Sequence, residues 1–234
     1  MKLDILAFAA HPDDVELSCS GTLLHHISIG KKVGIIDLTR GELGTRGSAE
    51  LRDEEAKQSS KILGLHAREN LGLADGFFED NRESQLKIIK MVRKYQPDIV
   101  LANAVYDRHI DHGRGAQLVH NACFLSGLAK IETGEYKVWR PKQILHYIQD
   151  YTIQPDFVFD ITPYFETKKQ CILAFSSQFF DPESKEPETP ISGETFFKFL
   201  EARSREMGRL IGVEYGEGFI SKTPIKLKDF TELV

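Results

Sequence analysis

Cysteine is scarce in this chain. Only Cys19, Cys123 and Cys171 occur in 234 residues, an odd number without C-x-x-C spacing. That excludes a disulfide framework or a thiolate metal site and leaves buried free thiols. Excess positive charge is missing too: 30 Lys and Arg stand against 35 Asp and Glu, for a formal charge of -5. No basic field exists for nucleic acid or an anionic membrane surface. No apolar run approaches bilayer-crossing length, and Met1-Lys2-Leu3-Asp4 enters an apolar segment without a secretory pattern. A soluble, cytoplasmic protein with neither nucleic-acid nor membrane partners is the expectation. Internal repeats, low-complexity tracts and shifts in composition are absent, so residues 1–234 are expected to form one domain. Two phosphate-binding signatures are also lacking. The first strand is followed by His-Pro-Asp-Asp and not G-x-G-x-x-G, and the Gly-rich loop at 41–47 has no Lys-Ser or Lys-Thr.

What the sequence does contain is an alternation of apolar runs and helix-patterned segments. Ile5-Leu6-Ala7-Phe8-Ala9 reads as a strand covered on both faces. Further strands are expected at 32–38, 67–73, 98–103, 143–149 and 157–161, and helices at 16–28, 48–64, 80–95, 115–128, 163–175 and 195–210. Residues 181–190, rich in Pro, Glu and Ser, read as an exposed loop, and the Gly-flanked segment 215–219 as a turn. Strand then helix, repeated, predicts an α/β fold, a Rossmann-like three-layer α/β/α sandwich with a mostly parallel sheet.

Two polar clusters lie just past the ends of predicted buried strands. His11, Asp13 and Asp14 follow the first, and Asp107, Arg108, His109, Asp111 and His112 follow the strand at 98–103. In open α/β sheets functional groups gather at such carboxyl ends. Taken singly, the first cluster reads equally well as a helix-capping turn and the second as a loop with ordinary histidines. Together they point to a metal: two imidazole nitrogens and one carboxylate oxygen make a three-ligand set for Zn²⁺ with a position left for water. Asp13 and Asp14 are adjacent, so their side chains diverge, and one can bind metal while the other faces substrate. His25, His26, His66, His120 and His146 lack a nearby carboxylate in sequence and read as surface or packed histidines.

Ala10-His11-Pro12-Asp13-Asp14 and Arg108-His109-Ile110-Asp111-His112 resemble the paired motifs of the LmbE/PIG-L-type zinc-dependent N-acetylglucosaminyl deacetylases. The resemblance continues through Gly41-Glu42-Leu43-Gly44-Thr45-Arg46-Gly47, Leu51-Arg52, Asn70-Leu71-Gly72-Leu73 and Tyr215-Gly216-Glu217-Gly218-Phe219, and is greatest to the bacillithiol-pathway branch. One departure is Ser20-Gly21, where the family has two glycines. The resemblance implies His11, Asp14 and His112 as metal ligands, with Zn²⁺ as cofactor and Fe²⁺ or another divalent cation as alternatives. It implies Asp13 as general base, and His109, held by Asp111, as the group that assists the oxyanion or the leaving amine. Arg52 matches a family arginine, and with Arg46 and Arg108 it would hold an anionic substrate carboxylate. Glu42 and Thr45 are candidates for sugar hydroxyls, and Tyr215 and Glu217 for closing the site. The implied reaction is removal of acetate from a small N-acetylglucosaminyl conjugate, N-acetylglucosaminyl L-malate in this branch, by a homo-oligomer such as a hexamer.

Three rival readings stand beside this one. Another N-acetylglucosamine conjugate or a chito-oligosaccharide would suit the same chemistry. A non-haem Fe(II) oxygenase also uses two histidines and one carboxylate, but has no use for Asp13 beside the ligands. A non-catalytic sugar-binding module would use the crevice without turnover.

Overall fold

The computed structural model describes residues 1–179, 185–227 and 229. Among these, seven strands form one sheet: β1 (Ile5–Ala9), β2 (Val33–Asp37), β3 (Ala67–Asn70), β4 (Ile99–Ala102), β5 (Gln143–Tyr147), β6 (Phe157–Asp160) and β7 (Gly216–Ser221). Their spatial order is β3-β2-β1-β4-β5-β7-β6. The first five run parallel, with Ile5 beside Val33 on one flank and Ile99 on the other. β7 enters antiparallel between β5 and β6. The expected mostly parallel α/β sheet is therefore present.

Six α-helices among the described residues cover the sheet: α1 (Asp14–Ser28), α2 (Ala49–Leu63), α3 (Arg82–Tyr95), α4 (Ile110–Leu125), α5 (Phe165–Leu173) and α6 (Phe196–Ile211). On one face, Leu6, Phe8, Ile36 and Val100 pack against Ile88, Ile89 and Val92 of α3 and Leu118, Val119 and Ala122 of α4. On the other, Ile5, Ala7, Ala9 and Ile35 pack against Val15, Cys19 and Leu23 of α1, with Cys171 of α5 alongside. Period-2 alternation sends neighbouring side chains of β1 to opposite layers, both apolar, so all five of its residues are buried. The three cysteines are free and buried, as expected. No helix among the described residues is long and apolar enough to cross a membrane.

Two boundaries differ from expectation in ways that matter. α4 begins at Ile110, five residues earlier than the apolar pattern indicates, so Asp111 and His112 stand on its first turn. Its first turns carry Asp111, His112, Gly113, Arg114 and Gly115, whose polarity and glycines hide a helix from a periodicity argument. Residues 216–221 form the buried strand β7 and not an isolated turn, because Gly216 and Gly218 pack tightly against neighbouring elements. A Cβ on Gly216 would come within 2.6 Å of Val158 Cγ1 and 2.9 Å of the Gly208 nitrogen. Of the loop expected at 181–190, residues 181–184 lie outside the described residues.

Sheet order fixes the site. The chain winds from β1 outward through β2 and β3 in one direction and through β4 and β5 in the other, so β1 and β4 flank the switch point. Their carboxyl ends leave a crevice there, and both polar clusters emerge into it.

Candidate active site

The segment after β1 turns sharply. Asp13 occupies φ 123°, a region that costs a non-glycine residue about 1–3 kcal/mol. It stands at the N-cap position of α1, yet its side chain makes no capping hydrogen bond. The capping reading of the first cluster thus fails for this residue. Its carboxylate is buried and lines a cavity of about 480 Å³ together with His11, Asp14, Arg52, His109 and His112. Burial pushes the Asp13 carboxyl up to about 7, with Arg52 opposing and Asp14 reinforcing the shift.

Asp14 sits between two imidazoles: its Oδ2 is 3.7 Å from Nδ1 of His11, and its Oδ1 is 3.1 Å from Nε2 of His112. Neutral donors orient it. The His11 backbone N–H and Asn103 Nδ2 each donate to Oδ2 at 2.9 Å, and Gln149 Nε2 donates to Oδ1 at 3.1 Å. The carboxylate is held well below the usual range: burial opposes this, but His112 and His11 outweigh it. Asp107 Oδ2 lies 2.5 Å from Nδ1 of His112, fixing that ring with Nε2 towards Asp14. Nε2 of His11 meets Asp75 at 3.1 Å and Asp111 at 3.4 Å. Burial alone would lower both histidines. Asp111, Asp75 and Asp14 instead push His11 up to about 10, and Asp14 and Asp107 push His112 up to about 9. This pocket of carboxylates draws positive charge to itself.

The donor set fits a divalent cation. Two imidazoles and a carboxylate converge, and the outer side of each is anchored by a further hydrogen bond, as metal sites require. Among the described residues, the groups whose ligand atoms all lie within 4.8 Å of one another are His11 with His109 and His112, and His11 with Asp75 and Asp111; Asp14, expected as the carboxylate ligand, approaches each imidazole singly and belongs to neither group. Rings of His11 and His109 meet edge to face at 4.6 Å between centroids.

His109 is the N-cap of α4, and its Nδ1 accepts the Asp111 backbone N–H at 3.3 Å. An accepting Nδ1 leaves the proton of the neutral ring on Nε2. Burial and the neighbouring His11 and His112 lower its pKa. The expected side-chain pair of His109 with Asp111 is not formed. With Asp111 in the first helical turn, its carboxylate points to His11, to the Gly76 N–H at 2.8 Å and to Arg114 at 2.8 Å.

Arg52, on α2, reaches the cavity through the Gly-rich loop. Its guanidinium occupies the space a Cβ would fill at Gly41 and Gly44, and Gly41 further requires φ 64°, so both glycines are spatial necessities. Arg52 Nη2 donates to Gln178 Oε1. Thr45 and Arg108 also line the cavity, and Arg108 is paired with Asp150 at 2.6 Å.

Other expected contacts lie elsewhere. Arg46 is buried beside Glu186, 3.6 Å away, and is not on the cavity wall. Glu42 accepts the Asp75 N–H at 2.9 Å and the Arg40 N–H at 3.2 Å, which organises its loop. Tyr215 stacks on Phe165 at 3.8 Å between centroids and bonds Arg205 and Glu201, away from the cavity. Glu217 is buried and accepts from Gly21 N, Thr22 N, Thr22 Oγ1 and Lys168 Nζ. It replaces hydrogen bonds interrupted by the kink at Cys19 in α1. Glu217 lies in β7 and Tyr215 immediately precedes it, and neither side chain lines the cavity. Asp75, Asn103, Asp107 and Gln149 were not singled out from sequence. Asp107 stood inside the second cluster and Asn103 and Gln149 at the ends of predicted strands, whereas no sequence signal marked Asp75.

Comparison with known proteins follows the same lines. Over 114 residues the chain is 35% identical to a protein of Escherichia coli K12 named uncharacterized deacetylase YaiS, covering 46% of this chain and 61% of that one. Over 131 residues it is 28% identical to the probable N-acetyl-alpha-D-glucosaminyl L-malate deacetylase 2 of Bacillus anthracis, covering 50% and 58%. The chain thus spans about three fifths of the length of the curated relatives it matches. Among solved structures it resembles the conserved protein TT1542 of Thermus thermophilus, with a TM-score of 0.87 and 35% identity over 97% of this chain and 98% of that one. It also resembles the N,N'-diacetylchitobiose deacetylase of Pyrococcus horikoshii, with a TM-score of 0.80 and 27% identity over 98% and 88%. The family profile described as PIG-L, GlcNAc-PI de-N-acetylase, matches residues 6–123, a segment that contains both polar clusters, and the chain belongs to that family.

Proposed function

We propose that this protein, as a single domain over residues 1–234, hydrolyses the acetamide of an N-acetylglucosaminyl conjugate, and that the conjugate is N-acetylglucosaminyl L-malate in bacillithiol biosynthesis. The observation that carries the reading is Asp13: a buried carboxylate on the cavity wall, in a costly backbone conformation and free of any capping bond. Strain at a residue with no structural task is characteristic of a functional position. Two relatives support the substrate class, one named for N-acetylglucosaminyl malate and one for diacetylchitobiose.

His11, Asp14 and His112 would hold the cation, zinc in this reading. When bound, such an ion lowers the pKa of water and polarises a carbonyl. Asp13, poised near neutrality, takes a proton from the water that attacks the amide carbon. The new C–O bond forms, the C–N bond breaks, and the amine leaves with a proton, giving acetate and free glucosaminyl product. His109 presents its Nε2 proton to the developing oxyanion or the departing nitrogen. Arg52 lowers the Asp13 carboxyl and so keeps it available as a base.

Acetate release from the zinc-loaded protein tests this directly, comparing N-acetylglucosaminyl L-malate, free N-acetylglucosamine and N,N'-diacetylchitobiose. Fastest release from the malate conjugate is expected. Release from chitobiose alone would overturn the malate assignment, and no release from any of them would overturn hydrolysis.

A further inference from the structure

Arg203, on α6, lines the same cavity, and nothing in the deacetylation scheme uses it. Its Nη1 donates to the Gln149 carbonyl and its Nη2 to the Leu17 carbonyl at 3.3 Å. Leu17 offers its carbonyl because α1 kinks at Cys19 and the Gly21 N–H turns to Glu217. Both acceptors are neutral. Among the described residues no carboxylate pairs with Arg203, whereas Arg108 on the same wall is paired with Asp150. Arg93 also bonds carbonyls, but four hydrogen bonds occupy its guanidinium and it does not line this cavity. Arg203 makes two, so donors and charge are left for a ligand.

A partly buried guanidinium without a counter-charge carries a desolvation cost that a partner of opposite charge would offset. Burial lowers the Arg203 pKa, with Asp150, Asp107 and Glu217 only partly opposing at a distance. Arg52 is the second cavity arginine without a carboxylate partner among the described residues, and its one side-chain acceptor is the neutral Gln178. Asp13, Asp14 and Asp75 on the cavity wall form the opposite electrostatic pole.

We infer that Arg203 is a specificity-determining anchor for an oxyanion, a carboxylate or phosphate, carried on the aglycone of the substrate. The inference rests on the deacetylase reading and narrows its substrate to anionic conjugates. The planar guanidinium takes two oxygens at once, which a neutral sugar cannot match.

The test compares Arg203→Gln and Arg203→Lys with the parent protein on N-acetylglucosaminyl L-malate, N-acetylglucosamine 1-phosphate and neutral N,N'-diacetylchitobiose. Arg203→Gln is expected to raise KM for the preferred anionic conjugate at least 10-fold relative to KM for chitobiose, with Arg203→Lys recovering part of the loss. The arm that suffers most identifies carboxylate or phosphate. Equal loss on charged and neutral substrates would reduce Arg203 to a support for the Leu17 and Gln149 carbonyls and overturn the inference. If no substrate releases acetate, the deacetylase reading fails separately. Calorimetric binding of L-malate and inorganic phosphate to the zinc-loaded protein then decides: binding that Arg203→Gln abolishes upholds the anchor, and absent or unaltered binding rejects it. Should Arg203→Gln not fold, the same comparisons are made with Arg203→Lys, expected to weaken anion recognition at least threefold, and no change overturns the inference.

Discussion

The Asp107 carboxylate lies 2.5 Å from Nδ1 of His112, while the other nitrogen of that ring lies 3.1 Å from Asp14. The ring is thereby held in the tautomer and orientation a metal ligand needs. Asp107→Asn is expected to weaken zinc affinity about 10- to 100-fold, as removal of such outer partners does elsewhere. Competition with a chromogenic chelator measures it, and unchanged affinity would remove His112 from the ligand set.

Asp13→Asn separates proton transfer from metal binding. Turnover is expected to fall by about 10²- to 10⁴-fold while the zinc content per chain stays at the parent value. An isosteric amide keeps the shape of the corner but cannot take a proton. Full dioxygen-dependent activity in this variant would point to an Fe(II) oxygenase in place of a hydrolase.

Among the described residues Glu217 is the sole carboxylate on Lys168, and both side chains are buried. Glu217→Ala strands that ammonium together with the N–H groups of Gly21 and Thr22. A loss of about 3–5 kcal/mol is expected, as for other broken buried pairs. The second change Lys168→Met should restore part of it, because the unpaired charge disappears. Urea denaturation of the parent and the two variants checks both statements.

His146, on β5, links stability to pH. Its Nδ1–H donates to the Asn103 carbonyl at 2.9 Å, and its buried Nε2 has no hydrogen-bond partner among the described residues. Burial lowers its pKa to about 4, the Asn103 bond opposing and Lys222 and His120 assisting. The folded state therefore binds fewer protons than the unfolded state, whose histidine titrates near 6.5. This stabilisation is complete above about pH 6.5 and is lost as the pH falls towards about 4, amounting to about 3 kcal/mol in total. His146→Gln should flatten the stability curve across that window, and an unaltered slope would refute the assignment.

Much of this molecule was legible in its sequence, for identifiable reasons. β1 is an unbroken apolar run because both faces of the sheet are covered, and its end at His11 is marked by Pro12 and two acids. Local rules of this kind reach a few residues along the chain. They also located α3, whose apolar stripe of Ile88, Ile89 and Val92 faces Leu6, Phe8, Ile36 and Val100 of the sheet. They missed the first turns of α4, where side chains serve the cavity and so abandon the apolar period, and they took β7 for a turn because its glycines are dictated by neighbours remote in sequence.

The amino-acid order alone determined the layered α/β plan and brought His11, Asp13, Asp14, His109 and His112 forward as reactive groups at strand ends. Only the tertiary structure decided which partner each group has. Asp111 turned to His11 and Arg114 and not to the His109 ring, Asp107 took His112, Asn103 and Gln149 took Asp14, and Tyr215 was carried off to Phe165. The reason is range: helix and strand periods are set by neighbours along the backbone, whereas charge pairing and hydrogen bonding act through space between residues as far apart in sequence as Asp14 and Gln149, 135 positions from one another.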